Sequence, residues 1–337
     1  MKTDNSHDLW RGIAVFAQTQ NGDLHDVSLE LLGKALELAR VINHPVYALV
    51  IGYNVGRSAE KLVSYGADKV YVYDEPCFEH YTPEPYAAAF SDFINEVRPS
   101  SILVGTTSLG RSLAPRVAAR FKTGLTADCT LLDIKENTDL MQIRPAYGGN
   151  IMAQIITPRH RPQMCTVRQK VFKYPKPARD PKGEIITKSL PAQALHSRVE
   201  VLDVLERPRD VDIMHERVLI AVGKGIKSEK DISLIRDLCT LLDAQICCTR
   251  PLVEQGWFDA KRQVGVSGRT VAPELILTLG VSGSVQFTTG MRGSACIVAV
   301  NSDPAAPIFD IAHYGLCCDL YEIVPLLIDS LKPHGAV

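Results

Sequence analysis

At 337 residues the chain is longer than a typical single domain, so we predict two domains. Its composition, 46% hydrophobic and 22% charged residues, is typical of globular proteins. Lysine and arginine total 37 against 38 acidic residues, which excludes the strongly basic surface typical of nucleic-acid-binding proteins. No apolar run reaches the roughly 20 residues that span a bilayer, and the polar N-terminus lacks the core of a signal peptide. We therefore expect a cytoplasmic protein with no membrane span.

The first half of the chain alternates strand-like and helix-like segments. Strands are predicted at residues 12–19, 46–51, 70–73 and 101–105, and helices at 28–42, 57–65, 85–97 and up to 121. This alternation predicts a mainly parallel sheet covered by helices on both faces. Four short β-like runs follow between residues 126 and 205, namely MQIRPAYGG, NIMAQIIT, MCTVRQKVF and VEVLDVL. We expect these runs to extend the first domain.

A second α/β unit begins near residue 216. Its predicted strands are residues 217–222, 245–248, 275–279 and 296–300, with a helix at 228–242 capped by Ser228 and another at 285–291. The fold class is therefore α/β, with two domains at residues 1–205 and 216–337, each containing a mainly parallel sheet covered by helices. The polar segment 206–215 between them has two interpretations, a hinge or an ordinary connection.

The nine cysteines include no C-x-x-C pair, which leaves zinc ribbons and iron–sulfur clusters without support in the sequence. Two adjacent pairs occur, Cys247 with Cys248 and Cys317 with Cys318. We expect both pairs to be apolar residues of a reducing compartment rather than redox centres.

Small, hydroxyl, amide and cationic residues follow four predicted strands of the second unit. They are Gly223, Lys224 and Gly225 after the first strand, Thr249 and Arg250 after the second, Gly280 to Ser284 after the third, and Asn301, Ser302 and Asp303 after the fourth. The carboxyl ends of parallel strands meet at one edge of a sheet, which is where ligands bind in open α/β folds. This pattern predicts a cofactor site on that rim.

Each of these signals also has a simpler interpretation. The Gly223 to Gly225 turn is an incomplete phosphate-binding motif, and a helix starting after Ser284 provides either a pyrophosphate site or an ordinary helix cap. Arg250, predicted to end a buried strand, either faces an anionic ligand or forms a surface salt bridge. The loop QVGVSG (263–268) suits close approach to a flat cofactor, or it is a plain turn.

Several long runs closely resemble one protein family. The runs QVGVSGRTVAPEL (263–275), GVSGSVQF (280–287), NSDPAAPIFDIAHYG (301–315) and CDLYEIVP (318–325) resemble the FAD-binding domain of electron-transferring flavoprotein α subunits. VSLELLGKALELA (27–39), YGADKVYV (65–72) and LGRSLAPRVAARFKTGLTADCT (109–130) resemble the N-terminal part of the same family. The resemblance covers nearly the whole chain and implies that the C-terminal domain is a FAD-binding doubly wound fold.

The resemblance implies a role for each matching residue. Ser267 stands where the family places a hydroxyl on flavin N5, Arg250 where a cation faces the flavin ring, and residues 264–266 where the isoalloxazine packs. Residues 282–286 would surround the ribityl and pyrophosphate groups, and Asn301, Asp319 and Leu320 the adenosine end. The whole implied set is Lys224, Thr249, Arg250, Gln263, Val264, Gly265, Val266, Ser267, Gly268, Ser282, Gly283, Ser284, Val285, Gln286, Phe287, Asn301, Asp319 and Leu320.

Two positions depart from the family pattern. Phe287 stands where many members have a histidine near flavin O2, and it provides neither a hydrogen-bond donor nor a charge. We expect the negatively charged reduced flavin to be less stable here than in family members with histidine at this position. Its stabilisation should depend more on Arg250. Lys224 stands where many members have arginine, so a phosphate contact there would lose the bidentate geometry of a guanidinium.

The resemblance also implies partners and a mode of action. The chain would form a heterodimer with a β subunit, and its C-terminal domain would pivot about residues 206–215 toward an acyl-CoA or hydroxy-acid dehydrogenase. The N-terminal runs look more like anaerobic systems that use NADH and a second flavin to bifurcate electrons toward ferredoxin. The alternatives are a simple carrier to a quinone oxidoreductase, a stand-alone flavin- or NAD-dependent oxidoreductase, and a non-redox module that binds adenine nucleotides.

Overall fold

The computed structural model describes residues 9–146, 151–178, 180–205 and 212–332. The chain divides into two compact units, one formed mostly by the residues up to 204 and one that begins at residue 205. None of the helices in the described residues is long and apolar enough to cross a membrane. Most of the predicted hinge, residues 206–211, lies outside the described residues.

The first unit contains twelve strands and four α-helices in its described part. They are β1 (Ile13–Ala17), β2 (Thr19–Gln20), β3 (Asp23–Leu24), α1 (Asp26–Ile42), β4 (Val46–Gly52), α2 (Gly56–Ser64), β5 (Lys69–Asp74), α3 (Pro83–Val97), β6 (Ser101–Gly105), α4 (Ser108–Arg120), β7 (Leu125–Cys129), β8 (Leu131–Ile134), β9 (Leu140–Ala146), β10 (Ile151–Ile155), β11 (Gln163–Val167) and β12 (Glu184–Lys188).

Seven of these strands form one sheet in the order β12-β5-β4-β1-β6-β11-β7, with parallel pairing. The central strands β1 and β6 are buried along their whole length, since helices cover both faces. Strands β8 to β10 form a separate three-stranded sheet in which β8 and β9 run antiparallel. The predicted α/β class and the parallel sheet are thus confirmed.

The region from residue 125 onward contains three strands that the sequence did not predict, β7, β8 and β12, and it differs from the prediction in two further respects. Strand β11 lies inside the main sheet, between β6 and β7, because its five residues are all buried and pair in register with β6. The predicted β-run at 199–205 forms no strand, and its apolar side chains are exposed, Leu202 by 87%. A β-strand needs a neighbouring strand to pair its backbone hydrogen-bonding groups. Alternating apolar residues alone therefore do not make this segment a strand.

The second unit contains five strands and four α-helices in its described part. They are β13 (Val218–Val222), α5 (Ile232–Leu242), β14 (Gln245–Cys248), α6 (Arg250–Glu254), β15 (Leu275–Leu279), α7 (Val285–Thr288), β16 (Cys296–Asn301), β17 (Tyr314–Cys317) and α8 (Leu320–Leu331). The strands pair in parallel in the order β14-β13-β15-β16-β17. Apolar clusters lie on the two faces of this sheet.

The four predicted strands of this unit are confirmed to within one residue, whereas several other elements differ. Ser228 caps a short 3-10 turn before α5 rather than α5 itself, and α7 is a single turn. The sequence prediction missed β17 and α8. All four residues of β17 are exposed, so the strand carries no burial pattern that periodicity could detect.

Candidate functional site

The sheet of the second unit reverses its strand order beside β13. The chain goes from β13 to β14 on one side and then to β15, β16 and β17 on the other. Such a switch point leaves a crevice at the carboxyl ends of the two diverging strands, here β13 and β15. The predicted rim is therefore the natural ligand site of this fold.

Glycines allow the ends of β13 and β15 to approach each other closely. The Gly223 N–H donates to Leu279 O at 3.0 Å, and the Gly225 N–H donates to Gly280 O at 3.0 Å. A Cβ atom on Gly225 would lie 2.6 Å from the Gly280 Cα, so a larger residue would push the two turns apart. Gly280 itself has φ +61°, which glycine adopts without strain.

A cavity of about 520 Å³ lies at this switch point. Residues from the ends of all five strands line it: Gly223, Lys224, Gly225, Lys227, Thr249, Pro251, Gly280, Val281, Ser282, Ser284, Phe287, Val300, Asn301, Ser302, Cys318, Asp319 and Leu320. Its volume falls within the range of small-molecule sites, about 300–1,000 Å³.

Eight of the predicted site residues line this cavity, and they come from five separate stretches of sequence. They are Lys224, Thr249, Ser282, Ser284, Phe287, Asn301, Asp319 and Leu320. The other ten, which do not line it, are Arg250, Gln263, Val264, Gly265, Val266, Ser267, Gly268, Gly283, Val285 and Gln286.

The loop 263–268 lies beside the cavity wall formed by α7. The Val266 N–H donates to Gln286 O at 2.8 Å, and the Val264 N–H donates to Cys248 O at 3.0 Å. Gly265, with φ +139°, packs so closely that a Cβ would lie 2.6 Å from the Gln286 carbonyl oxygen. The loop is thus held between the end of β14 and α7, with Ser267 exposed at its tip.

Ser267 has a defined hydrogen-bond partner within this loop. Gln263 Nε2 donates to Ser267 Oγ at 2.9 Å, while Gln263 itself is largely buried. This bond orients the hydroxyl while leaving its proton available to another acceptor.

Arg250 differs from its prediction. It does not end a strand but begins α6, because Thr249 is the N-cap and Pro251 occupies the first turn. Its Nε donates to Glu254 Oε1 at 2.8 Å, and the side chain is 68% exposed. The two side chains lie one helical turn apart on the surface. Such an exposed ion pair contributes only a few tenths of a kcal/mol to stability. A ligand anion could therefore displace Glu254 at little cost.

Two lysines supply positive charge to the cavity. The Lys227 ammonium lies 3.7 Å from Asp319 Oδ2 and 4.8 Å from the centroid of the Tyr321 ring. The backbone of this lysine is fixed as well, since its N–H donates to Tyr321 Oη at 2.8 Å. Lys224 is exposed on the turn between the two glycines and forms no ion pair with another described residue.

Hydroxyl and amide groups complete the polar lining. The hydroxyls of Ser282 and Ser284 are exposed and form no side-chain hydrogen bond within the described ranges. Asn301 is already held, since its Nδ2 donates to Val281 O at 2.8 Å and its Oδ1 accepts from the Asp303 N–H at 2.9 Å. Asp319 Oδ1 caps α8 by accepting from the Tyr321 N–H at 2.9 Å.

The wall also contains apolar groups and a thiol. Phe287 is only 4% exposed and packs in the apolar cluster beneath the sheet. Cys318 is half-buried, and burial raises the pKa of its thiol. The thiol is therefore neutral at physiological pH and adds no negative charge to the lining.

The donor set fits a dinucleotide that carries a flat ring. Lysine ammonium groups and free serine hydroxyls match a pyrophosphate, while Phe287 and Val281 offer apolar surface to a ring.

Comparison with known proteins gives a consistent result. Residues 13–193 match the family model described as electron transfer flavoprotein domain, and residues 212–292 match the one described as electron transfer flavoprotein FAD-binding domain. The chain is 41% identical to electron transfer flavoprotein subunit alpha of Megasphaera elsdenii over 332 residues, covering 97% of this chain and 98% of that one. The chain belongs to the electron transfer flavoprotein α-subunit family. Its cofactor is FAD.

Other relatives of this flavoprotein α subunit carry more specific names. It is 54% identical over 324 residues to the lactate dehydrogenase (NAD(+),ferredoxin) subunit LctC of Acetobacterium woodii, covering 96% of this chain and 78% of that one. It is 36% identical to the acryloyl-CoA reductase electron transfer subunit beta of Anaerotignum propionicum, covering 97% of this chain and 98% of that one. A solved structure of a thiamin diphosphate-dependent enzyme from Mycobacterium smegmatis is 11% identical, with 99% of this chain and 62% of the other covered. Its TM-score is 0.23, and we infer nothing from this similarity.

The cavity is also lined by residues outside the set that the family resemblance implies. They are Gly223, Gly225, Lys227, Pro251, Gly280, Val281, Val300, Ser302 and Cys318. The glycines and Ser302 stand in the strand-end pattern, so the signal for them was present. Lys227 lies in the loop after β13 and is fixed there by Tyr321 of α8, and Cys318 directly follows β17, a strand that the sequence prediction missed.

Proposed function

We propose that this α subunit pairs with an electron transfer flavoprotein β subunit and carries electrons on its FAD between the β-subunit flavin or NADH and a partner dehydrogenase. In this proposal the complex bifurcates electrons, passing some to ferredoxin. The observation that supports it is the 54% identity, over nearly the whole chain, with a subunit of a lactate dehydrogenase named for NAD(+) and ferredoxin. The partner dehydrogenase would act on a hydroxy acid or an acyl-CoA.

The cavity suggests how this chain would hold FAD. Lys224, Lys227, Ser282 and Ser284 would bind the pyrophosphate. Lys224 and the two serine hydroxyls have no other partner in the described part of the chain, and the Lys227 ammonium is held at the cavity by its exposed pairing with Asp319. Asn301, Asp319 and Leu320 would flank the adenosine end, as the ends of β16 and α8 lie together. FAD, when bound, supplies the redox chemistry.

The same proposal assigns the remaining residues to the flavin ring. Val264, Gly265 and Val266, with Gln263 and Gly268, would pack against it, and the Ser267 hydroxyl would face N5. Thr249 and Arg250 would approach from the end of β14, once Arg250 has left Glu254. Gly283, Val285 and Gln286 would contribute backbone groups, and Phe287 would exclude water from its edge. The chain needs no nucleophile or general base for this role.

The heterodimer test separates the proposal from its main alternative. The chain is produced together with its β subunit, and FAD is counted per purified heterodimer before NADH is added. Two FAD per heterodimer and reduction by NADH are the results we expect. One FAD together with one bound AMP, and no reduction by NADH, would instead establish a simple carrier to a quinone oxidoreductase. Reduction of the α subunit alone by a substrate would show a stand-alone oxidoreductase, and a colourless protein would contradict flavin binding.

A further inference from the structure

A second cavity lies at the opposite end of β14 from the cofactor cavity. Thr249, just after this strand, lines the first cavity, whereas Gln245 and Ile246, at its start, line the second. The second cavity has a volume of about 550 Å³, which suits a ligand the size of a mononucleotide. The two cavities share no lining residue.

Two arginines face this cavity. The Arg262 Nη1 donates to the Ile246 carbonyl oxygen at 2.8 Å, which fixes the guanidinium at the wall. The same guanidinium acts electrostatically on the buried thiol of Cys239, also in the wall. Arg236, on the exposed face of α5, forms no ion pair with any other residue that the structure describes. Paired guanidinium groups favour a phosphate because their donors match its oxygen atoms.

Two aromatic residues stand beside the arginines. Trp257 and Phe258 are consecutive, half-buried and packed on the apolar cluster around β14. The Trp257 N–H donates to Leu252 O at 3.0 Å, so the backbone that carries the indole is held in place. A partly exposed indole in a cavity wall is a stacking surface for a nucleobase.

The other ionisable groups that line the cavity do not prevent a phosphate and a nucleobase from binding there. Burial raises the pKa of Cys239 to about 12, so the thiol is neutral at physiological pH and does not repel an anion. Asp259 Oδ1 accepts from the Lys261 backbone N–H at 2.8 Å. Glu274 and, to a lesser extent, Asp243 raise the pKa of the Arg217 guanidinium, so Asp243 lies within electrostatic reach of that residue. Each carboxylate keeps acceptor atoms for hydroxyl groups, and a ribose presents such groups.

We propose that this cavity is a second ligand site, which binds a nucleoside phosphate with its phosphate on Arg236 and Arg262 and its base against Trp257. The site is separate from the FAD cavity and does not depend on the electron-carrier role. Asp243 and Asp259 would face the sugar hydroxyls.

The test uses the FAD-loaded protein, so that the cofactor cavity is already filled, and measures ADP binding by equilibrium dialysis. We expect saturable binding that Arg236→Ala weakens about tenfold, the effect of losing one charge-assisted hydrogen bond. Arg236 is exposed, so its removal leaves the fold and the FAD content unchanged. Arg292→Ala, an exposed arginine of the same unit that lines neither cavity, is the matched control and should bind ADP normally.

A second measurement tests the nucleoside part of the proposal. ADP should quench the fluorescence of Trp257 in a Trp10→Phe background, since the chain has only these two tryptophans. Inorganic phosphate should compete poorly with ADP and leave the fluorescence unchanged. The proposal is overturned if ADP does not bind, if Arg236→Ala and Arg292→Ala bind it equally, or if phosphate displaces ADP at equal concentration.

Discussion

Replacing Gly283 by alanine is expected to abolish FAD retention while leaving the two units folded. Gly283 has φ +86°, and a Cβ there would overlap the backbone nitrogen of Ile308 and lie 2.5 Å from its Cα. That segment is held by the Ile308 N–H, which donates to Ser282 O at 3.1 Å. Relief of the clash must move Ser282 and Ser284, two of the proposed pyrophosphate donors. Loss of two such hydrogen bonds weakens FAD binding by at least about a hundredfold.

A matched glycine separates the clash from the backbone strain. Gly256 has φ +78°, but a Cβ there would meet nothing within 4 Å. Gly256→Ala therefore carries the same left-handed strain, about 1–2 kcal/mol, without any steric overlap. FAD content and affinity should be normal in Gly256→Ala and lost in Gly283→Ala, with circular dichroism and thermal unfolding confirming the fold of both. Full FAD retention in Gly283→Ala would show that FAD does not use this loop.

Replacing Phe287 by histidine is expected to raise the first reduction potential of the bound FAD. Phe287 lines the cavity, is 4% exposed and offers no donor, whereas an imidazole would place a donor beside the flavin edge that becomes negative on reduction. A hydrogen bond to a charged group contributes about 1.5–3 kcal/mol, which corresponds to about 65–130 mV for one electron. Potentiometric titration of the FAD-loaded heterodimer measures this shift.

The control for this change keeps the volume but adds no donor. Phe287→Met fills a similar space with a flexible apolar side chain, so the potential should stay at the value of the unaltered protein. The shift in Phe287→His should be larger at about pH 6 than at about pH 8, because the imidazole is charged only at the lower pH. Equal potentials in the histidine and methionine variants would remove Phe287 from the flavin environment.

The rim of the proposed cofactor site could be predicted because parallel strands all end at one edge of their sheet. Continuous apolar runs predicted the four strands from β13 to β16 closely, and parallel pairing then brought the residues after them to one edge. Lys224, Thr249, Ser282 and Asn301 follow from this reasoning without any knowledge of side-chain packing. The position of Lys227, which depends on a hydrogen bond from its backbone to Tyr321 of α8, does not.

Local sequence signals and strand pairing also explain where the prediction of secondary structure was wrong. Thr249 followed by Pro251 is a typical helix start, so the sequence does contain the signal that Arg250 begins α6 rather than ending β14. Strand β17 has Tyr314 exposed by 67%, and only its pairing with β16 makes it a strand. The run at 199–205 shows the opposite case, in which β-like alternation finds no neighbouring strand.

The position of FAD in the C-terminal cavity is tested most directly by the reactivity of Cys318. Its thiol lines the cavity, while Cys77 is exposed in the other unit and lines no part of it. Burial raises the pKa of both thiols, so alkylation is slow enough to follow by mass spectrometry of the two peptides. We expect FAD to protect Cys318 and to leave the labelling rate of Cys77 unchanged. Equal labelling of Cys318 in the FAD-loaded and FAD-free proteins would contradict the placement of FAD in this cavity.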